Sequence, residues 1–364
     1  MENAAAQDAE TVGIDQRPAL EVTDLTVTYS RTRGLLGREK QTLHAATEVS
    51  FSIFPGEVLG LVGESGSGKS TVAQAIERLI PLESGSIKVA GTEWTELSGT
   101  ALRAERKAMQ MVYQDPYSSL NPSMTVRQLL EEPLKVHGIQ PADQWPSRVR
   151  EMLGLVGLND DALEKYPHEF SGGQRQRVAI ARALITDPSV LILDEAVSAL
   201  DVSTRGQILR LLQRLKQELS SAYLFIGHDL AVVRKVSDRI AVMYLGRIVE
   251  LGGQDQVIHE SRHPYTAVLV SAVPNPRAAV TSGGGRQDMV HGEPPDPWSP
   301  PVGCAFATRC PFAMEICREV KPDRYAIAGG GYSECHLHTE GPKLAGAPVI
   351  DLRDTEWDRT VGVQ

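Results

Sequence analysis

Eight consecutive residues near position 65 have the types and the spacing of a phosphate-binding loop. The run Gly63-Glu-Ser-Gly-Ser-Gly-Lys69-Ser70 fits the pattern G-x-x-x-x-G-K-S/T. In such a loop the glycines let backbone N–H groups point at phosphate oxygens, the lysine contacts the β- and γ-phosphates, and the last hydroxyl binds Mg²⁺. A flexible glycine loop without a ligand is the alternative. The pattern predicts a nucleotide site formed by Gly63, Glu64, Ser65, Gly66, Ser67, Gly68, Lys69, Ser70 and Thr71.

Two adjacent carboxylates, Asp194 and Glu195, end the short apolar run 191–193. If that run is a parallel strand, its carboxyl end faces the ligand crevice of an open α/β sheet. We expect Asp194 to bind Mg²⁺ and Glu195 to polarise the water that attacks the γ-phosphate. A solvated strand end is the alternative interpretation, and the phosphate loop upstream makes it weaker.

A second anion site is predicted where Ser171-Gly172-Gly173-Gln174 opens a helical pattern. The free N–H groups of a helix N-terminus attract phosphate oxygens. One chain that binds one nucleotide does not need two such sites. The alternative is an ordinary capped helix with a glycine turn.

The cysteines Cys304, Cys310, Cys317 and Cys335 are the four in the chain, and they lie within 32 residues of one another. Four thiolates suit a structural zinc ion or a [4Fe–4S] cluster. Zinc sites usually begin with a narrower C-x2–4-C pair, so zinc is less favoured, and disulfides are rare in the cytosol. Unligated thiols remain an alternative. A structural role is preferred to redox regulation.

Strands and helices alternate around these residues. Apolar runs at 58–62 and 190–193 precede the phosphate loop and the two carboxylates, and helical patterns cover 72–79 and 208–219. This alternation predicts an α/β fold with a largely parallel sheet. Further strands are predicted at 20–29, 49–53, 223–226 and 240–244, and within 85–112 around a helical piece.

Other segments depart from this pattern. Residues 123–170 read as a helical insertion whose amphipathic helices are broken at Pro133, Pro141 and Pro146. A loop is expected at 31–41, and a Pro- and Gly-rich linker at 274–301. Both termini are expected to be loose tails.

Composition excludes several classes of function. Lys and Arg number 37 against 46 Asp and Glu, which gives a net charge of −9 and disfavours a nucleic-acid-coating role. No run of 18 apolar residues could span a bilayer, and the acidic start of the chain lacks the apolar region of a secretory signal. We therefore expect a cytoplasmic protein.

Over residues 20–275 the chain resembles the ATP-binding subunits of ATP-binding cassette (ABC) proteins, because several motifs occur in the family's order. The resemblance implies that Tyr29 stacks on adenine, Gln114 contacts Mg²⁺, and Asp201 lies in the loop at the dimer interface. It also implies that His228 and the Ser171 motif contact γ-phosphates, the latter in the partner subunit. Each of these residues also has a plainer alternative role when it is considered alone. These alternatives are a strand aromatic for Tyr29, a surface polar group for Gln114, a helix cap for Asp201, a core histidine for His228 and a capped helix for the Ser171 motif.

The same resemblance implies a fold and a domain organisation. A P-loop NTPase (RecA-like) core of ABC type would carry an antiparallel β subdomain and an inserted helical subdomain at about 115–170. The domains would be a disordered tail at 1–18, a nucleotide-binding domain at 19–275, a Pro-rich four-Cys extension at 276–340 and a tail at 341–364.

The match is closer to the dipeptide/oligopeptide importer branch. It rests on four runs, 114–122, 166–174, 243–250 and 263–265, and on Gly303–Pro311. The last run looks like the branch's C-terminal extension, which implies a [4Fe–4S] cluster in some members. Ala196 departs from the family, which usually has proline after the catalytic glutamate, and we expect a small effect.

This resemblance also implies ligands, partners and location. The cofactors would be ATP and Mg²⁺, and the substrate di- or oligopeptides; nickel, another small solute or a non-transport ABC function are alternatives. The partners would be a paralogous ATPase subunit, two transmembrane permease subunits and an extracytoplasmic substrate-binding protein, with no nucleic acid. The chain would sit peripherally on the cytoplasmic face of the inner or plasma membrane.

Overall fold

The computed structural model of the protein describes residues 17–33, 39–115, 119–272, 293–340 and 344–349. The predicted tails, 1–18 and 341–364, lie mostly outside these ranges, as does the linker 274–301 up to residue 292. Within the described ranges no helix is long and apolar enough to cross a membrane.

An eight-stranded sheet forms the centre of the molecule, in the order β11-β12-β10-β9-β3-β8-β7-β6. The five strands from β9 to β6 run parallel, and the other three are antiparallel additions. The predicted α/β class with a largely parallel sheet is confirmed. The strands are β3 (Val58–Val62), β6 (Met109–Val112), β7 (Val190–Asp194), β8 (Ala222–Gly227), β9 (Arg239–Tyr244), β10 (Arg247–Gly253), β11 (Arg324–Ile327) and β12 (Gly331–Glu334).

A second, antiparallel sheet of four strands has the order β2-β1-β4-β5. Its strands are β1 (Leu20–Arg33), β2 (Glu39–Ile53), β4 (Ser84–Val89) and β5 (Thr92–Glu93). The loop predicted at 31–41 is wrong at both of its ends. The pairing of β1 with β2 continues from Arg31↔Gln41 to Arg33↔Glu39, because a long hairpin satisfies the backbone of polar residues as well as that of apolar ones.

Helices pack on both faces of the central sheet and form the predicted insertion. The sequence pattern predicted a helix break at Pro133, and this prediction is wrong, because Pro133 lies inside a continuous helix. The helices are α1 (Lys69–Ile76), α2 (Gly99–Glu105), α3 (Val126–His137), α4 (Trp145–Leu155), α5 (Gly172–Leu184), α6 (Val202–Glu218), α7 (Leu230–Val233), α8 (Gln254–His259), α9 (Pro264–Ser271) and α10 (Ile316–Glu319). Short 3₁₀ turns lie at Arg106–Ala108, Ala142–Gln144, Asp160–Ala162, Pro167–Glu169 and His336–His338.

Alternate residues of the central strands enter two different cores. In β7, Leu191 and Leu193 join the cluster formed with the helical insertion, whereas Val190 and Ile192 join the cluster under the antiparallel sheet. All four are fully buried. A strand buried on both faces reads as a continuous apolar run, which is why this strand was visible in the sequence.

The C-terminal extension is part of the central sheet. Its hairpin of β11 and β12 pairs with β10, with Glu250 opposite Ser333 and Leu251 opposite Tyr332. The extension therefore adds two strands to the sheet of the nucleotide-binding domain.

Candidate functional site

The predicted phosphate loop connects the carboxyl end of β3 to α1, which begins at Lys69. Lys69 is buried, and its Nζ lies 2.9 Å from the carbonyl oxygen of Gly63 and 2.8 Å from that of Glu64. Burial lowers the pKa of Lys69. Gly68 has φ 104°, and a Cβ there would lie 2.2 Å from the Ala45 carbonyl oxygen, so the loop requires glycine at this position.

The side chains of Gln114, Glu195 and His228, from three strand ends, meet at one point. Gln114 Nε2 donates to Glu195 Oε2 at 2.8 Å, and His228 Nδ1 lies 3.1 Å from Glu195 Oε1. Glu195 has φ 47°, a left-handed conformation that is uncommon for a residue with a side chain. Strain of this kind concentrates at functional sites, where it fixes the direction of a side chain.

Ser70 and Asp194 face each other, with the Ser70 hydroxyl 3.5 Å from Asp194 Oδ1. Burial raises the pKa of Asp194. A hydroxyl and a carboxylate on facing elements suit the oxygen-donor preference of Mg²⁺. The two side chains therefore fit the predicted cation, whereas the amide of Gln114, the third predicted ligand, donates to Glu195.

A cleft of about 590 Å³ opens beside the phosphate loop. Tyr29, which is 39% exposed, lines it together with Lys69, Ser70 and Glu195. The C-terminal extension lines the same cleft through Pro297, Pro300, Pro301, Val302, Gly303, Ala305 and Lys321. Trp298 of the extension also lies under the Arg31 guanidinium, 3.9 Å from the ring centroid. The pocket that includes the predicted adenine-stacking residue is thus built from two distant parts of the chain.

The Ser171 motif and Asp201 lie side by side, and they do not line this cleft. Ser171 caps α5, with its hydroxyl accepting from the Gln174 N–H, and Asp201 caps α6 by accepting from the Thr204 N–H. A Cβ on Gly173 would lie 2.3 Å from the Thr204 methyl group. Both plainer roles, as helix caps, are therefore present. The prediction that these residues serve a partner subunit's nucleotide stays a prediction.

The four cysteines converge without forming disulfides. Burial raises the pKa of Cys304 to about 11 and that of Cys310 to about 12, and the neighbouring thiols add to both shifts. The pKa of Cys335 is raised well above its usual value by burial, with contributions from the other three thiols. As placed, neither the cysteines nor other His, Cys, Asp or Glu side chains in the described ranges form a group of three or more that could hold a metal ion.

Sequence reasoning placed Glu64 in the phosphate loop and used the runs that contain Tyr265 and Arg309, but it did not predict that these residues join the extension to the loop. Arg309 contacts both carboxylate oxygens of Glu64, and the Glu64 N–H donates to the Tyr265 hydroxyl at 3.0 Å. It also missed Glu77, a buried carboxyl in a groove of about 450 Å³ between the sheet and the helical insertion. No local pattern predicts these contacts, because the partners are distant in sequence.

Comparisons with known proteins agree with this site. Residues 46–198 match the family described as ABC transporter, and residues 249–317 match the family described as oligopeptide/dipeptide transporter, C-terminal region. The chain is 43% identical over 328 residues to the oligopeptide transport ATP-binding protein AppF of Bacillus subtilis, covering 89% of this chain and 99% of that protein. It is 46% identical over 318 residues to the probable peptide ABC transporter ATP-binding protein y4tS of Sinorhizobium fredii, covering 87% and 89%.

Solved structures give the same result. The ATP-binding cassette MJ0796, in a post-hydrolysis dimer bound to ADP and Pi, matches with a TM-score of 0.56 and 28% identity, covering 65% of this chain and 98% of that one. The cbiO1 protein of Clostridium perfringens matches with a TM-score of 0.59 and 28% identity, covering 72% and 98%. The predicted ABC-type cassette fold is confirmed, and the chain belongs to the ATP-binding subunits of the oligopeptide/dipeptide ABC transporter family.

Proposed function

We propose that this chain hydrolyses ATP to power the import of di- or oligopeptides through a membrane ABC transporter. The observation that carries the proposal is the meeting of Gln114 and His228 on the carboxylate of Glu195, beside Lys69 and Asp194. Family membership supplies the substrate class.

In this mechanism Glu195 orients the attacking water and accepts its proton. His228 and Gln114 hold the carboxylate in place from either side, and the left-handed backbone of Glu195 directs it at the cleft. Lys69 and the N–H groups of the loop stabilise the charge that develops on the transferred phosphoryl group. Mg²⁺, held by Ser70 and Asp194, would supply further charge neutralisation.

Two such subunits would close head to tail on ATP. The placement of the Ser171 motif next to Asp201, away from this chain's own cleft, supports a role toward a partner's nucleotide. We infer that the partner is a paralogous ATPase, and that closure drives two permease subunits fed by an extracytoplasmic substrate-binding protein. The chain would then be peripheral to the cytoplasmic face of the membrane.

The groove between the sheet and the helical insertion is the proposed docking surface for a permease subunit. Glu77, Tyr113, Glu132 and Val136 line it, and Gln114 directly follows Tyr113. A permease segment that shifts in this groove would therefore move the backbone at Tyr113, and with it Gln114, which contacts Glu195.

Uptake by the reconstituted transporter tests the proposal. Vesicles that hold the complete complex should take up a labelled dipeptide or oligopeptide in an ATP-dependent manner, and Lys69→Ala should abolish uptake because ATP is no longer bound. Uptake of nickel in place of peptides would replace the substrate assignment. ATP hydrolysis that no solute stimulates would favour a non-transport ATPase.

We further infer that the four cysteines ligate a [4Fe–4S] cluster with a structural role. Four neighbouring thiols, two of them buried and two partly buried, support the inference through their donor chemistry, although as placed they form no metal-ion group. Anaerobic purification with iron, sulfide and zinc assays tests it. About four iron per chain is expected; about one zinc would make the site a plain zinc site, and neither metal would show that the extension folds without one.

A further inference from the structure

The phosphate loop is held from outside by one arginine of the C-terminal extension. Arg309 Nη1 lies 3.2 and 3.0 Å from the two carboxylate oxygens of Glu64, and Arg309 Nη2 lies 3.2 Å from Oε1. Nη1 also lies 3.3 Å from the Tyr244 hydroxyl. Glu64 is the second residue of the loop, and its carbonyl oxygen accepts from Lys69 Nζ at 2.8 Å. Arg309 is therefore linked through a single residue, Glu64, to the lysine that is predicted to contact the phosphates.

The contact is rigid on the arginine side. The Arg309 side chain is only 10% exposed, against 30% for Glu64. Its N–H donates to the Phe306 carbonyl oxygen, and the Phe306 ring packs edge-on against Tyr244 with centroids 5.4 Å apart. Tyr265, which receives the Glu64 N–H, packs against the same ring. A buried aromatic cluster thus fixes both partners of Glu64.

The negative charge of Glu64 gives this contact a bearing on nucleotide binding. A carboxylate in the phosphate loop repels the anionic ligand that the loop must bind, and it competes with phosphates for Lys69. A two-point arginine contact neutralises that charge and fixes its direction. We propose that Arg309 is a positioning residue of the ATP site, which holds Glu64 away from the phosphates and keeps the loop open to them. The inference rests on the proposed role of residues 63–71 as the phosphate site.

Calorimetric binding of MgATP to the full chain tests the inference. Arg309→Met removes the charge and should raise the dissociation constant for MgATP about 10- to 100-fold, because Glu64 becomes uncompensated. Arg309→Lys keeps the charge and should retain most of the affinity. The double variant Arg309→Met/Glu64→Gln should return to within about threefold of the wild type, since the repelling carboxylate is then gone.

Controls separate this role from a structural one and from the proposed function. Arg318→Met makes the same change at an exposed position of the extension and should leave affinity unchanged. Thermal unfolding of the nucleotide-free proteins shows which variants fold; if Arg309→Met does not, Arg309→Gln takes its place. Normal affinity in the Arg309 variant, or no recovery in the double variant, would overturn the inference. Normal affinity in Lys69→Ala would instead overturn the proposed phosphate site.

Discussion

The phosphate loop and the four-cysteine extension meet at one end of the same sheet, but different interactions fix their positions. The loop is placed by its own short sequence, between a buried strand and the helix that starts at Lys69. The extension is placed by contacts across the whole chain, such as the ion pair of Arg309 with Glu64, 245 positions earlier. The position of the loop can therefore be predicted from local spacing, whereas the position of the extension depends on tertiary packing.

The largest expected effect is a loss of ATP hydrolysis on substitution of Glu195, which would show that catalysis takes place beside the phosphate loop and not in the extension. Glu195→Gln should bind ATP but hydrolyse it about 10²- to 10⁴-fold more slowly, because an amide cannot accept the proton of the attacking water. Single-turnover hydrolysis measures this. Glu319→Gln, an exposed carboxyl of the extension, should hydrolyse ATP normally. Near-normal turnover in Glu195→Gln would remove that residue from the mechanism.

The next effect tests whether the extension belongs to the core. Phe306 is 1% exposed and packs on three aromatic rings. Phe306→Ala should lower the free energy of unfolding by about 3–5 kcal/mol, as measured by chemical denaturation. Val302→Ala, at a position 83% exposed in the same extension, should change it by less than about 0.5 kcal/mol. Equal, small effects would mean that the extension is only loosely attached.

A pH dependence is expected in the groove, away from both regions. Burial raises the pKa of Glu77 from 4.5 to about 7, and one of its carboxyl oxygens, Oε2, is buried without a hydrogen-bond partner. Between these pH values the folded state holds a proton that the unfolded chain loses, so the stability contributed by Glu77 falls as pH rises.

Glu77→Gln should remove this dependence. The variant should be more stable than the wild type by about 2–3 kcal/mol near pH 8, and close to it near pH 5. Denaturation at both pH values measures the difference, and the exposed Glu83→Gln serves as the matched change. A wild type that gains stability toward pH 8 relative to the variant would show that Glu77 is paired in solution.

The smallest effect concerns the residue after the catalytic glutamate. Ala196 is buried and carries no group that could take part in the reaction. Ala196→Pro should stiffen the loop and change the hydrolysis rate by no more than about twofold. A rate gain or loss beyond tenfold would show that backbone freedom next to Glu195 sets its direction.

Sequence reasoning worked where neighbours along the chain decide the structure. It located the phosphate loop, the strand that ends at Asp194 and the helix that begins after Ser171, since glycine spacing, apolar runs and capping residues are local. It failed where pairing is long-range. The strand continuing to Arg33 and the intact helix around Pro133 both depend on what packs beside them.

The sequence by itself determined the chemistry available to this protein: a lysine in a glycine loop, two carboxylates after an apolar strand, and four clustered cysteines. The spacing of such residues along the chain is the same whether or not the chain is folded. Only the tertiary structure brought Gln114 and His228 onto Glu195, turned the Glu195 backbone left-handed and set Arg309 against Glu64. These contacts join residues far apart in sequence, so their energies exist only after the sheet has assembled.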